Sequence, residues 1–251
     1  RFFRLGFSNQ EKNYYSRLLC LCNKVMKKIL KQIIEKTGYQ ISRKNIRMDF
    51  VSFARDQDFE DAFLKIKPFS LLDKDRLFTL WQFVKQAKVF PGAMAQVGVF
   101  RGGSAKLVSI AKKENSEPLY LFDTFEGMPD VDPSVDLHKK GDFKNTSLEG
   151  VQKIFEGEKN VIFCKGFFPA TVDKVHSDKF SFVYIDVDIY KSVLDSLNFF
   201  YPKLVTGGFM MFDDYMGKNT PGVKKALDEF LKDKKEIPIL TTVGQCVLIK
   251  Q

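Results

Sequence analysis

Two apolar runs in this chain stop abruptly at paired carboxylates. Val183-Tyr184-Ile185 runs into Asp186 and Asp188, and Met210-Met211-Phe212 runs into Asp213 and Asp214. A short apolar run without polar alternation reads as a strand buried on both faces, the kind found in parallel sheets covered by helices. Open α/β sheets bind ligands outside the carboxyl ends of their strands. Four acids at two such ends repel one another unless a cation sits among them. The pattern therefore predicts an α/β sheet with a cation site at its edge. Asp186 and Asp188 are two apart, so an extended strand would put them on one face. Asp213 and Asp214 can meet one ion only if the chain turns there. Helix N-caps account for one of the four acids but not for both pairs. Oxygen ligands favour magnesium, calcium or manganese, and two histidines, His138 and His176, make a poor basis for zinc.

The rest of the chain fits such a sheet. Strands are predicted at 94–100, 119–122, 161–164, 180–187, 209–213, 237–241 and 246–249. Helices are predicted at 104–113, 147–156, 192–201 and 221–233, after a helical stretch over 58–90 in which Asp73 is an N-cap. Val243-Gly244 joins the last two strands as a tight antiparallel hairpin. Alternating strands and helices ending in such a pair give an α/β fold, a doubly wound, mostly parallel sheet with one reversed strand. Residues 125–146 carry Gly, Pro and Asp without a sustained period, and a loop of that length is expected to serve as a lid.

Charge divides the chain. Residues 1–48 hold twelve Lys or Arg against two Glu, while the remainder carries one net negative charge. The near-neutral core excludes a nucleic-acid-binding role for it. Within the arm, Leu18, Leu19, Cys22, Val25, Met26, Ile29, Leu30, Ile33 and Ile34 form one face of a helix, with lysines opposite. That face packs on the core or a sister subunit, making a homo-oligomer, or lies on an anionic membrane. The expected division is a basic arm at 1–57 and a domain at 58–251. No apolar stretch reaches the roughly 18 residues of a membrane span. Four scattered cysteines fit a cytoplasmic setting, with peripheral contact at the inner membrane surface through residues 1–48.

A second constellation lies at the first strand-helix corner, Gln96-Val97-Gly98-Val99-Phe100-Arg101-Gly102-Gly103-Ser104. Glycines there let a ligand approach the backbone, and the helix start offers free amides. Asp123 ends the next strand, where an acid accepts ribose hydroxyls in nucleotide-binding α/β folds.

These motifs, with Phe122-Asp123-Thr-Phe125-Glu126-Gly127-Met-Pro129, His138-x-x-Gly141-Asp142-Phe143, Gly166-Phe-Phe-Pro169-x-Thr171, Ile185-Asp186-x-Asp188-x-Tyr190-x-Ser192 and Gly207-Gly208-x-x-x-x-Asp213-Asp214-Tyr215, resemble the macrocin O-methyltransferase family. Its members methylate sugar hydroxyls, as in the mycinamicin and novobiocin pathways. The likeness covers about residues 70–250 and leaves the basic arm outside.

The resemblance implies a class I, Rossmann-like fold with a seven-stranded sheet, and transfer of a methyl group from S-adenosylmethionine to a sugar or glycoside hydroxyl. It implies a magnesium ion, or another divalent cation, on Asp186, Asp213 and Asp214, with Asp188 as general base and His138, carried over the sugar by the lid, as an alternative base or orienting group. Gln96, Gly98, Arg101, Gly102, Gly103, Ser104, Asp123, Phe125 and Gly166 would line the cofactor site. Gln96 stands where the family usually has an acid. Two other readings compete: a glycosyltransferase using Asp186-Val-Asp188 as a DxD site, and a non-catalytic membrane-surface module using the arm.

Overall fold

The computed structural model describes residues 56–251 apart from 114 and 178. The expected arm helix lies outside the described residues. Helix α1 (Gln57–Ile66) starts where the Asp56 carboxylate accepts the Phe59 amide, and its Phe59, Ala62 and Ile66 share a buried face. The same carboxylate accepts the Trp81 indole N–H at 3.1 Å, tying α1 to α2 (Lys74–Ala87). Asp73 caps α2 through the Arg76 amide, as its sequence position predicts. Leu77, Leu80, Trp81, Val84 and Ala87 give α2 a buried stripe at helical spacing.

The sheet follows: β1 (Ala93–Val97), α3 (Gly103–Ala111), β2 (Leu119–Asp123), α4 (Leu148–Ile154), β3 (Val161–Lys165), β4 (Phe180–Ile185), α5 (Tyr190–Phe200), β5 (Leu204–Phe212), α6 (Pro221–Phe230), β6 (Ile239–Leu240) and β7 (Cys246–Ile249). The seven strands are ordered β3-β2-β1-β4-β5-β7-β6. The first five are parallel, and β7 runs against both β5 and β6. The predicted doubly wound sheet with one reversed strand is thus the observed one. Strand order reverses between β1 and β4, and a crevice opens at that point beyond the strand ends.

Strand residues alternate between two cores. Leu121, Tyr184 and Met211 face α1, α2 and α3, while Phe122, Ile185 and Phe212 face α5 and α6. Phe200 meets the rings of Phe122, Phe168, Phe180 and Phe199 at centroid separations between 4.8 and 5.8 Å. Burying each such ring is worth about 1.5–3 kcal/mol. Cys164 and Cys246 are free thiols in this core, pushed up to about 11 and about 12 by burial.

Several boundaries differ from expectation, and two differences shape the site. Strand β1 ends at Val97, because positive φ at Gly98 and Phe100 turns the chain. Strand β4 ends at Ile185, and Asp188 sits at φ 60° in a turn where the Ile189 amide reaches the Val187 carbonyl. Asp186 and Asp188 therefore do not share a strand face; a turn brings them together. Strand β5 starts at Leu204, ahead of Gly207-Gly208, with a register shift against β4 between Phe180 and Phe182.

Candidate active site

Strand register sets the site. Val97 pairs with Ile185, and Ile185 with Phe212, so the next residues, Gly98, Asp186 and Asp213, emerge side by side. Phe122 pairs with Val97 and places Asp123 beside them. Around these ends lies a cavity of about 240 Å³ whose walls include Arg76, Gly98, Asp123, Gly166, Asp186 and Asp188. One wall, from Phe69 to Arg76, comes from the helical segment ahead of the sheet. The sequence motifs did not indicate it.

Gly98 is there for contact between strand ends. A Cβ on it would stand 1.8 Å from the Asp186 carbonyl oxygen, and its φ is +84°. Asp123 organises the corner around it. One carboxylate oxygen accepts the Val99 and Phe100 amides at 2.6 and 2.8 Å, and the other accepts the Phe125 amide at 2.6 Å. The Thr124 hydroxyl lies 3.5 Å from that second oxygen, and Asp123 also lines the cavity. Apolar Val97, Val99 and Phe122 line the cavity alongside it.

The other cofactor expectations divide. Gly103, Ser104 and Gly166 line the cavity, whereas Gln96, Arg101, Gly102 and Phe125 are not among its lining residues. Gln96 is fully buried, donating its amide to the Gly98 carbonyl and the Ser104 hydroxyl, both at 2.8 Å. It braces the corner from behind. Its Oε1 is buried without a partner. Arg101 is exposed. Gly102 is the αL N-cap of α3, and the Phe125 ring belongs to the core.

The expected ligands Asp186, Asp213 and Asp214 and the expected base Asp188 all line the cavity. Oxygens of Asp186, Asp188 and Asp214 lie within 4.8 Å of one another, each side chain partly buried. Burial, then the charges of Asp213, Asp188 and Asp214, hold Asp186 well above the ordinary carboxylate range. Burial and then Asp214 do the same to Asp188. Such a hard-oxygen set fits a divalent cation.

Asp213, expected as a ligand, is hydrogen-bonded through both of its oxygens. It is fully buried, with one oxygen accepting the Tyr184 hydroxyl at 2.6 Å and Gln245 Nε2 at 2.7 Å. The other accepts Arg76 Nη1 at 2.5 Å. Burial still leaves Asp213 above its usual value, helped by Asp214 and opposed by Arg76. Burial works against the Arg76 charge, but the attraction of Asp213 and then Asp214 outweighs it and raises its pKa.

The segment between β2 and α4 folds back on itself, with the Met128 amide on the Asp142 carbonyl and the Gly141 amide on the Met128 carbonyl. Met128 and Phe143 reach the cavity. His138 is not among its lining residues; its Nδ1 is 3.1 Å from Asp142, and its ring packs on Phe143. The loop is fastened by Asp136, a residue the motifs did not single out. Its buried carboxylate accepts the Tyr190 amide at 2.8 Å, at the start of α5. Burial raises Asp136, and the Tyr190 amide opposes the shift.

Residues 21–250 match the family described as macrocin-O-methyltransferase (TylF). The match begins inside the basic arm, earlier than the motifs suggested. The chain is 31% identical over 154 residues to demethyldecarbamoylnovobiocin O-methyltransferase of Streptomyces niveus, covering 56% of this chain and 58% of that protein. It is 28% identical over 156 residues to mycinamicin III 3''-O-methyltransferase of Micromonospora griseorubida, covering 56% and 60%. The matched stretches thus span less than two thirds of these relatives. The solved O-methyltransferase NovP superposes with a TM-score of 0.66 at 27% identity, over 73% of this chain and 82% of that one. The calicheamicin methyltransferase CalS11 shares the fold, with a TM-score of 0.58 at 16% identity, over 84% and 98% of the two chains. By its matched length and its class I methyltransferase fold, this chain belongs to the macrocin O-methyltransferase family.

Proposed function

We propose that this chain transfers a methyl group from S-adenosylmethionine to a hydroxyl of a sugar or glycoside, with the help of a divalent cation. The observation that carries the reading is the convergence of Asp186, Asp188 and Asp214 within 4.8 Å, in the cavity that also holds Asp123 and Gly98. Asp123 would accept one ribose hydroxyl, and the Gly98–Ser104 corner would seat the rest of the methyl donor against the sheet edge. Asp186 and Asp214 would hold the cation. When bound, it would lower the pKa of the acceptor hydroxyl. Asp188 would take the proton from that hydroxyl; its raised proton affinity suits a base, and its turn directs it beside the ligand pair. Phe143, supported by His138, would cover the acceptor, and the loop would exclude water.

Sugar and glycoside acceptors are supported by what the relatives are named for, novobiocin- and mycinamicin-type compounds. A DxD glycosyltransferase would leave the Asp123 corner and Asp214 without roles. The test is a panel of glycoside acceptors incubated with isotopically labelled S-adenosylmethionine, with magnesium and with chelator. Label transfer in magnesium only is the expected result. Transfer that is undiminished in excess chelator would remove the cation from the mechanism.

We further propose that the enzyme is cytoplasmic and that the arm makes peripheral contact with an anionic membrane. The twelve basic residues in 1–48 support the contact. Flotation with anionic vesicles, with and without residues 1–48, checks it; equal recovery of both would rule it out. Among the described residues, no helix is long and apolar enough to cross a membrane.

A further inference from the structure

Arg76 enters the carboxylate cluster from α2, far from the motifs that mark the site. Among the described residues it is the only basic side chain lining the cavity. Its Nη1 donates to Asp213 at 2.5 Å and to Asp214 at 3.0 Å. Asp213 is held from behind by Tyr184 and Gln245. Gln245 Nε2 also lies 3.4 Å from the Arg76 carbonyl, so the partners of the pair are cross-braced. The Asp214 carboxylate is instead shared between Arg76 on one side and Asp186 and Asp188 on the other.

A guanidinium cannot leave this position by losing its proton, and the Nη1 group donates to both carboxylates it bridges. It supplies one positive charge to a group of four acids, too little to neutralise them. A divalent cation brought to Asp186 and Asp214 would share Asp214 with a charge of its own sign. The two cations repel across that carboxylate with little solvent between them.

We propose that Arg76 is the resident counter-ion of the cluster, a positioning residue that bridges Asp213 to Asp214 and holds the affinity for divalent cations down by its charge. The inference rests on the proposed cation site. It differs from a structural role in sign: if Arg76 only supported the ligands, removing it would loosen metal binding, whereas removing a competing charge tightens it.

The experiment is a calorimetric titration of Mn2+ into the chelator-stripped full chain, for wild type, Arg76→Gln and Arg76→Lys. Electron paramagnetic resonance of free Mn2+ serves as an independent count of bound ion. Arg76→Gln is expected to bind Mn2+ about ten-fold more tightly or better, and Arg76→Lys, which keeps the charge, to stay within about three-fold of wild type. Equal or weaker binding by a folded Arg76→Gln overturns the proposal. So does an Arg76→Lys protein that tightens as much as Arg76→Gln. Should Arg76→Gln fail to fold in chelator, Mn2+ must restore its fold by replacing the missing charge, and failure to do so counts against the proposal. Absence of Mn2+ binding in both wild type and Arg76→Gln also overturns it. S-adenosylmethionine binding, measured on the same samples by thermal shift, then tells whether the methyltransferase reading survives.

Discussion

Asp123 at the end of β2 and the acids at the ends of β4 and β5 stand on one sheet edge and face one cavity, yet they meet opposite surroundings. Asp123 is met by three backbone amides from its own corner. Asp186 and Asp188 are met chiefly by other carboxylates. The first arrangement spends a charge on holding a loop in shape. The second leaves charge uncompensated and ready for a ligand. Residue type and strand position are the same in both places, so the difference lies in what the loops around each strand end do. The Val99 and Phe100 amides that follow β1 and the Phe125 amide that follows β2 turn toward the Asp123 carboxylate, whereas after β4 a turn through Asp188 adds another acid.

The comparison can be broken most decisively at Asp186. Asp186→Asn is expected to lower turnover by about a thousand-fold or more, the equivalent of roughly 4 kcal/mol of transition-state stabilisation, while S-adenosylmethionine binding stays near wild type. A steady-state assay with a parallel calorimetric titration reads both, and comparable losses in the two would merge the regions that are separated here. Asp123→Ala is expected to do the reverse. Stranding its amides should cost about 2–4 kcal/mol of stability and weaken methyl-donor binding, and neither loss should respond to added Mg2+. Denaturant melts with and without the ion provide the check.

A pH experiment sharpens the contrast further. The folded-state pKa of Asp188 lies above its unfolded value, so between the two the folded protein binds the extra proton. Stability therefore falls as pH rises through that window, which opens near pH 4. Chelated Asp188→Asn should melt at a higher temperature than wild type near pH 8, with the gain shrinking to nothing by about pH 4. A constant offset across the range would mean that charge repulsion is not its source. The smallest effect is expected at His138. Since its ring touches Phe143 rather than the cavity, His138→Ala should change kcat by less than about ten-fold and act mainly on KM. A general base would be worth about a hundred-fold or more, and a loss of that size would return His138 to the chemistry.

The sheet was legible in the sequence because apolar runs and glycine corners are local signals. The two strand ends carrying acids, the Asp123 position and the reversed hairpin all follow from such runs. What each side chain does after its strand ends was not legible. Asp213 and Asp214 are neighbours with the same chemistry, and only the folded chain decides that Asp213 faces Tyr184, Gln245 and Arg76. Gln96 sits inside a ligand-binding motif yet points into the core, a consequence of strand alternation at Val97. Arg76 did leave a trace: it lies four residues before Leu80 and eleven before Ala87, both buried on α2, so a cation interrupts an apolar stripe. That anomaly marks a residue with a buried partner, though not which one.

The Arg76–Asp213 pair joins positions 137 apart in the chain, and Gln245 braces it from the turn that leads into β7. During synthesis from the N-terminus, Arg76 would emerge long before Asp213, and both before Gln245. Contacts of such long sequence separation form late and slowly. The nascent chain would thus carry an unmatched arginine, and then unmatched acids, until Gln245 is made. Removing the β6–β7 hairpin would leave the buried Asp213 without its Gln245 donor.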